Sequence, residues 1–314
     1  MTETLVVAPA DLAGAYPERP FRIRHALAGH PLLQLPRIVE LTKQLDEDRI
    51  EYNSGKLAPN QKPEETPLVD MPPEEVVRKI ETAGAWMVLK RVDTVPEYRA
   101  LLEEALGSVA RQLGFASLKE AGFTDIEGFL FVSSPNGVTP FHVDPEDNFF
   151  VQIHGPKFFH TLDNTDRALV SEADLESAPT KHRNLAYDPS FESRATVHEL
   201  APGDGLFVPY QWPHWVRTGD SYSVSMAITW KSPAVRRNNK LMFMNHMLRG
   251  LGLPQPRPGK VPVLDGLKVA AYTAARSAVE PLRRSEGMRR RLRGLLFGRS
   301  ANYYYRDGET KKAM

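Results

Sequence analysis

The sequence predicts a mainly β protein with flanking helices, and three observations carry that expectation. Between Gly128 and Trp230 the chain breaks into short apolar runs separated by turn residues, the pattern of an antiparallel β core. On either side of this stretch, apolar residues recur at helical spacing. Within it lies a His-x-Asp triplet, His142-Val-Asp144, answered far downstream by His214 after a Pro-Gly-Asp turn.

Taken in order, the opening stretch to about Pro20 has small residues and little periodicity and reads as an extended arm. Leu33 to Leu45 follows Pro31 with helical alternation. Asn53 to Glu65, with Gly55, Pro59 and Pro63, reads as a loop or linker. Pro72-Pro73 introduces a helix whose Val76, Val77 and Ile80 form one face. Trp86 to Lys90 reads as a strand and Tyr98 to Leu113 as a helix, both expected to buttress the core. The expected strands are then Phe129–Ser133, Asn148–Ile153, Lys157–Leu162, Thr196–Leu200, Gly205–Val208, Trp215–Arg217 and Ser221–Trp230. The polar stretch Asp163 to Arg194 is either a surface insertion or a loop that helps choose a substrate. Beyond Pro233, Asn238 to Leu251 is helical and stopped by Gly250-Leu-Gly-Leu-Pro254. A second helical region covers about Leu264 to Leu296. These readings divide the chain into residues 1–84 (arm and buttressing helices), 85–232 (β core) and 233–314 (basic helical extension).

Two imidazoles and one carboxylate are the ligand set of a non-haem iron(II) site with open positions. On a strand, residues two apart share a face, so His142 and Asp144 can grip one ion from one side. His214 has to come from another strand, and its setting supplies one: Leu206 to Val208 is apolar, Pro209 ends it, and the histidine opens the next run. Each part has a plainer explanation. Such a triplet commonly lies in an exposed turn, His214 between Trp212 and Trp215 suits a packed core histidine, and Lys157 after Gly155-Pro156 suits a solvated hairpin.

The run from Thr139 through His142, Asp144 and Asn148 to Gly155-Pro-Lys157, with Pro202-Gly-Asp204 leading to His214, resembles the JmjC and cupin-like iron(II)/2-oxoglutarate oxygenases. It is particularly similar to the branch containing the asparaginyl hydroxylase of hypoxia-inducible factor. The resemblance covers about the central third of the chain and implies a double-stranded β-helix, or jelly-roll, barrel. It implies that His142, Asp144 and His214 hold Fe(II), and that Lys157, Thr139 and Asn148 line the pocket for the far carboxylate of 2-oxoglutarate. A dicarboxylate also supplies a reason to turn Lys157 inward, since a buried ammonium needs an anion. The implied reaction hydroxylates a C–H bond of a protein, peptide or amino-acid-like substrate, consuming O2 and releasing succinate and CO2. Demethylation is a variant outcome. Relatives form two-fold dimers through helices after the barrel, so a homodimer is expected. One departure stands out: where some relatives place an asparagine on the last barrel strand, this chain offers Ser225, Ala227 and Thr229.

Composition narrows the alternatives. With 314 residues and 41% apolar content the chain can bury a full core, and with no cysteine it has no disulfide, thiolate nucleophile or zinc-thiolate site. The start lacks a signal-peptide pattern and no stretch approaches the roughly 20 apolar residues of a membrane span, so the cytoplasm is expected. The net charge of +1 hides an asymmetry, because from Lys231 onward basic residues heavily outnumber acids. Arg236, Arg237, Arg283, Arg284, Arg289, Arg290, Arg291 and Arg293 are prominent, and interleaved Leu282, Met288, Leu292, Leu295, Leu296 and Phe297 favour docking on an acidic body over nucleic acid. Two other functions remain as alternatives: a metal cupin without cosubstrate, and a non-catalytic nucleic-acid-binding regulator.

Overall fold

A computed structural model describes residues 3–62, 65–180, 184–279 and 291. The apolar residues expected to seat the basic tail, and Arg283, Arg284, Arg289, Arg290 and Arg293, lie outside the described residues. The strands are β1 (Leu5–Val6), β2 (Phe21–His25), β3 (Ile50–Ser54), β4 (Ala85–Lys90), β5 (Glu127–Ser133), β6 (Val138–His142), β7 (Asp147–His154), β8 (Lys157–Thr161), β9 (Thr196–Leu200), β10 (Asp204–Val208), β11 (His214–Thr218) and β12 (Ser223–Trp230). The α-helices are α1 (Pro9–Gly14), α2 (Leu35–Gln44), α3 (Pro73–Arg78), α4 (Pro96–Gln112), α5 (Glu172–Ser177), α6 (Pro233–Gly250) and α7 (Pro262–Val279).

Two antiparallel sheets face each other. The larger runs β1-β2-β10-β7-β12-β5-β4-β3 and the smaller β6-β11-β8-β9. From β5 to β12 the chain passes back and forth between them, giving a jelly roll whose two halves are β10-β7-β12-β5 and β6-β11-β8-β9. The expected double-stranded β-helix is therefore the observed architecture. Strands β1 to β3, from the segment before residue 85, extend the larger sheet at both ends.

Strand β12 shows how the sequence chooses its faces. Val224, Met226, Ile228 and Trp230 join the large core under the helices, while Ser223, Ser225, Ala227 and Thr229 alternate onto the inner side. On β7, Phe149, Val151 and Ile153 point outward to the same core and leave Asn148, Phe150 and Gln152 facing inward. Helix α4 covers that outer core with Tyr98, Leu101, Leu102, Ala105, Leu106 and Val109, an i, i+3, i+4 stripe starting just after Pro96.

The opening residues are not an extended arm. Leu5 and Val7 are buried, Leu5 N–H donates to the Ser108 hydroxyl (3.0 Å), and α1 follows directly, because these few apolar side chains complete the core beside α4. The polar stretch 163–194 packs Leu169, Val170, Leu175 and Leu185 against Phe141 and Trp215, covering the outer face of the smaller sheet. Residues 55–59 run along the free edge of β6, where Val138 N–H donates to Gly55 O (3.0 Å) and Phe141 N–H to Pro59 O (2.8 Å). Pro140, which has no N–H to offer, is tolerated on β6 because that strand is an edge.

Candidate active site

His142 and His214 meet by strand register. β6 and β11 pair antiparallel with His142 directly opposite His214, and the ring centroids lie 4.2 Å apart. Asp144 is not on the strand, which ends at His142; it sits in the following loop, where Gln211 N–H donates to its backbone carbonyl (2.9 Å). Its carboxylate lies 3.7 Å from each Nε2, and one ligand atom from each of the three residues falls within 4.8 Å of the others. The three side chains thus converge, although strand alternation alone does not place Asp144.

Both imidazoles are oriented from behind. His142 Nδ1 lies 2.7 Å from Pro140 O and His214 Nδ1 lies 2.8 Å from Trp212 O. A carbonyl only accepts, so each Nδ1 carries a proton and each Nε2, the atom through which a neutral imidazole ligates a metal, is turned toward Asp144. Phe159 stacks on His214 at 4.8 Å and steadies the ring plane. Gln211 holds the loop that carries His214 in a left-handed conformation (φ 56°), which costs on the order of 1 kcal/mol for a residue with a side chain. Its Nε2 donates to Leu175 O (2.7 Å), fastening that loop to the 163–194 insert.

Lys157 points into the barrel and is 3% exposed. The turn before it requires Gly155, whose φ is +69° and where a Cβ would fall 2.2 Å from Tyr222 O. Lys157 Nζ donates to Ser225 Oγ (2.6 Å) and lies 5.3 Å and 5.9 Å from the ring centres of Phe150 and Phe131. No carboxylate pairs with it among the described residues, and burial pulls its pKa down to about 7. Asn148 faces the same interior with its Oδ1 buried and unpartnered. Thr139, opposite Val216, accepts a hydrogen bond from Trp86 Nε1 (2.8 Å).

Sequence reasoning missed several of these neighbours. Trp86 read only as a strand residue, and Gln211 and Phe159 carried no motif at all. Lys231, which no motif marked, pairs with Glu146 (3.0 Å) in the loop that carries Asp144, and burial pushes Glu146 up to about 7.

The donor set of two tethered imidazoles and one carboxylate fits a divalent first-row metal with positions left open. The buried, unpaired ammonium fits an acidic ligand in the same barrel.

Comparison with known proteins bears on the fold and the family. The structure of Escherichia coli YcfD superposes with a TM-score of 0.51 at 16% identity, covering 92% of this chain and 71% of that one. A ribosomal oxygenase YcfD structure in complex with cobalt and 2-oxoglutarate aligns at a TM-score of 0.47 and 16% identity, covering 85% of this chain and 65% of that chain. Lysine-specific demethylase 8 of Xenopus tropicalis is 32% identical over 125 residues, 35% of this chain and 27% of that protein. The chain spans about a quarter of the length of the curated relatives it matches. A model of the cupin-like domain matches residues 11–235, from α1 through the whole jelly roll to the start of α6, and the chain belongs to that cupin-like domain family.

Proposed function

We propose that the chain is an Fe(II)/2-oxoglutarate-dependent oxygenase of the JmjC type that hydroxylates a C–H bond of a protein, peptide or amino-acid-like substrate. The observation that carries this reading is one barrel interior holding both the His142, Asp144 and His214 cluster and a buried lysine that no carboxylate among the described residues pairs with. A cupin that uses no acidic cosubstrate has no need of that lysine, which would be an unrelieved cost.

The residues take these roles in the proposal. His142 and His214 present fixed Nε2 lone pairs, and Asp144 supplies the anionic ligand. Iron(II) held there would supply a redox-active Lewis acid for oxidation by a 2-oxo acid and dioxygen. Lys157, steadied by Ser225, binds the far carboxylate of 2-oxoglutarate, and Thr139 donates to it. Asn148 serves the same pocket through its amide. Phe150 and Phe159 wall the interior and exclude water from the reacting groups. Substrate, 2-oxoglutarate and O2 are converted to hydroxylated substrate, succinate and CO2. Where the attacked carbon bears nitrogen, the hydroxylated product loses formaldehyde, and demethylation is the outcome of the same oxidation.

The proposal extends to a homodimer built on α7, whose Val263, Leu264 and Leu267 are exposed; sedimentation at micromolar concentration tests it. The catalytic reading is tested by anaerobic titration of the metal-free protein with Fe(II) and then 2-oxoglutarate, following the visible charge-transfer band of the chelate. A saturable band that weakens in Lys157→Ala supports the oxygenase. Iron binding with no band returns the cosubstrate-free cupin, and failure to bind iron rejects both.

A further inference from the structure

Trp86 stands on β4, outside the jelly-roll strands, yet its indole reaches into the end of the barrel where Lys157 lies. Its ring centre is 6.1 Å from that of Phe131, and Phe131 in turn lies beneath the Lys157 ammonium. Its Nε1 donates to Thr139 Oγ1 at 2.8 Å. Trp86, Phe131, Lys157 and Thr139 are therefore neighbours, although they come from four strands of two sheets.

The direction of the Trp86–Thr139 bond is not open to choice. An indole N–H donates and has no lone pair to accept with, so the threonine oxygen must accept. The hydroxyl proton then points elsewhere, and Thr139 donates to no other group among the described residues. A hydroxyl held this way is a ready-made donor for an anion. One without the indole turns freely and loses part of that advantage when a ligand arrives.

Resting on the oxygenase reading above, we propose that Trp86 is a positioning residue for the cosubstrate. By occupying a lone pair of Thr139 it aims the threonine proton at the far carboxylate beside Lys157. The pair thereby selects a 2-oxo dicarboxylate over a 2-oxo acid of the same length that ends in a methyl group. Trp86 itself touches neither the metal cluster nor the reacting carbon in this scheme.

The test compares wild type with Trp86→Phe, which keeps an aromatic ring and removes the donor. Anaerobic Fe(II)-loaded protein is titrated with 2-oxoglutarate and, separately, with 2-oxopentanoate, and the apparent Kd is read from the charge-transfer band. The variant is expected to bind 2-oxoglutarate about threefold to fivefold more weakly, a part of the roughly tenfold effect of losing one hydrogen bond to a charged group. Its affinity for 2-oxopentanoate, its Fe(II) affinity and its melting temperature should stay at wild-type values. Thr139→Val should lose more of the same preference, and the double variant should lose no more than Thr139→Val alone.

Equal weakening of both 2-oxo acids, or no change for either, overturns the inference while leaving the oxygenase reading intact. Should Trp86→Phe fail to fold, Thr139→Val decides, and an unchanged preference for the dicarboxylate overturns the inference. A wild type that binds iron but not 2-oxoglutarate removes the oxygenase reading and this inference with it.

Discussion

The two faces of the larger sheet are built on opposite principles. The outer face carries Phe149, Val151, Phe207, Met226, Ile228 and Trp230, all essentially inaccessible and packed under the helices. The inner face, made by the alternate residues of the same strands, carries Asn148, Gln152, Ser225 and Thr229 and receives Lys157 from the smaller sheet. Asn148 Oδ1 and Gln152 Oε1 are buried there without partners. A buried polar group with no partner costs about 1–3 kcal/mol, so the inner face lowers stability and the outer face restores it. Folding energy is concentrated on one side of a single sheet, and the proposed ligand recognition lies on the other.

The largest expected effect comes from the inner side. His214→Ala or Asp144→Ala should abolish stoichiometric iron binding, and with it turnover, while the melting temperature of the metal-free protein stays near wild type. Metal content by mass spectrometry and calorimetry check this; a variant that unfolds without metal would mean that the two faces are not separable.

The outer side should behave in reverse. Trp230→Ala, which empties a side chain packed on Phe123 and Phe149 at 4.9 Å, should cost about 3–5 kcal/mol in denaturant unfolding. Iron affinity of the fraction that remains folded should not change.

Lys157 sharpens the contrast because it should trade one property for the other. Lys157→Met is expected to weaken 2-oxoglutarate binding by about 2–5 kcal/mol and to stabilise the ligand-free protein by about 1 kcal/mol or more. The pH dependence has a definite sign. Its folded pKa is about 7 and its unfolded value 10.5, so between those values the unfolded chain holds more protons. Stability of the ligand-free wild type should therefore rise with pH across that window, a slope absent from Lys157→Met. Affinity for 2-oxoglutarate should fall as pH rises above about 7, since the ammonium form is the one that binds.

A smaller effect is expected at the seam between β2, β10 and β7. His25 Nε2 is shared between Gln152 O and Asp204 O, each at 3.0 Å, and Nδ1 accepts from Leu27 N–H. Burial lowers its pKa from 6.5, so the neutral ring is the folded form and stability should decline as pH drops below about 6.5. His25→Ala should cost about 1–3 kcal/mol and flatten that acid-side decline. At the bottom of the scale, the exposed Lys79–Glu75 pair at the end of α3 should contribute less than about 0.5 kcal/mol in a Lys79→Ala variant.

Much of the site was legible because it is written in short, local signals. His142, Asp144 and His214 stand out through their residue types and through the turn and strand signals around His214. Their spacing was read on an imperfect premise, however. Asp144 lies beyond the end of β6, and a backbone hydrogen bond from Gln211, a residue 67 positions away in sequence (211 − 144), fixes its loop. Strand β6 itself was hidden by Pro140, which forbids a central strand but not an edge one. Trp86 was invisible as a site residue, since nothing in Ala85 to Lys90 distinguishes a packing aromatic from one that donates to Thr139.

By itself the sequence determined the period-2 faces of β7 and β12, the candidate ligand types, and the jelly-roll family pattern. Those depend on residue identity and near-neighbour spacing, which the chain carries in one dimension. Only the tertiary structure decided that His142 stands opposite His214, that Lys157 is buried with no counter-ion among the described residues, and that the indole of β4 donates to a hydroxyl of β6. Each of these is a long-range coincidence of register and burial. Register is set by how two sheets close on each other, and burial by everything that packs around a side chain, so neither is a property of the residues on either side in sequence.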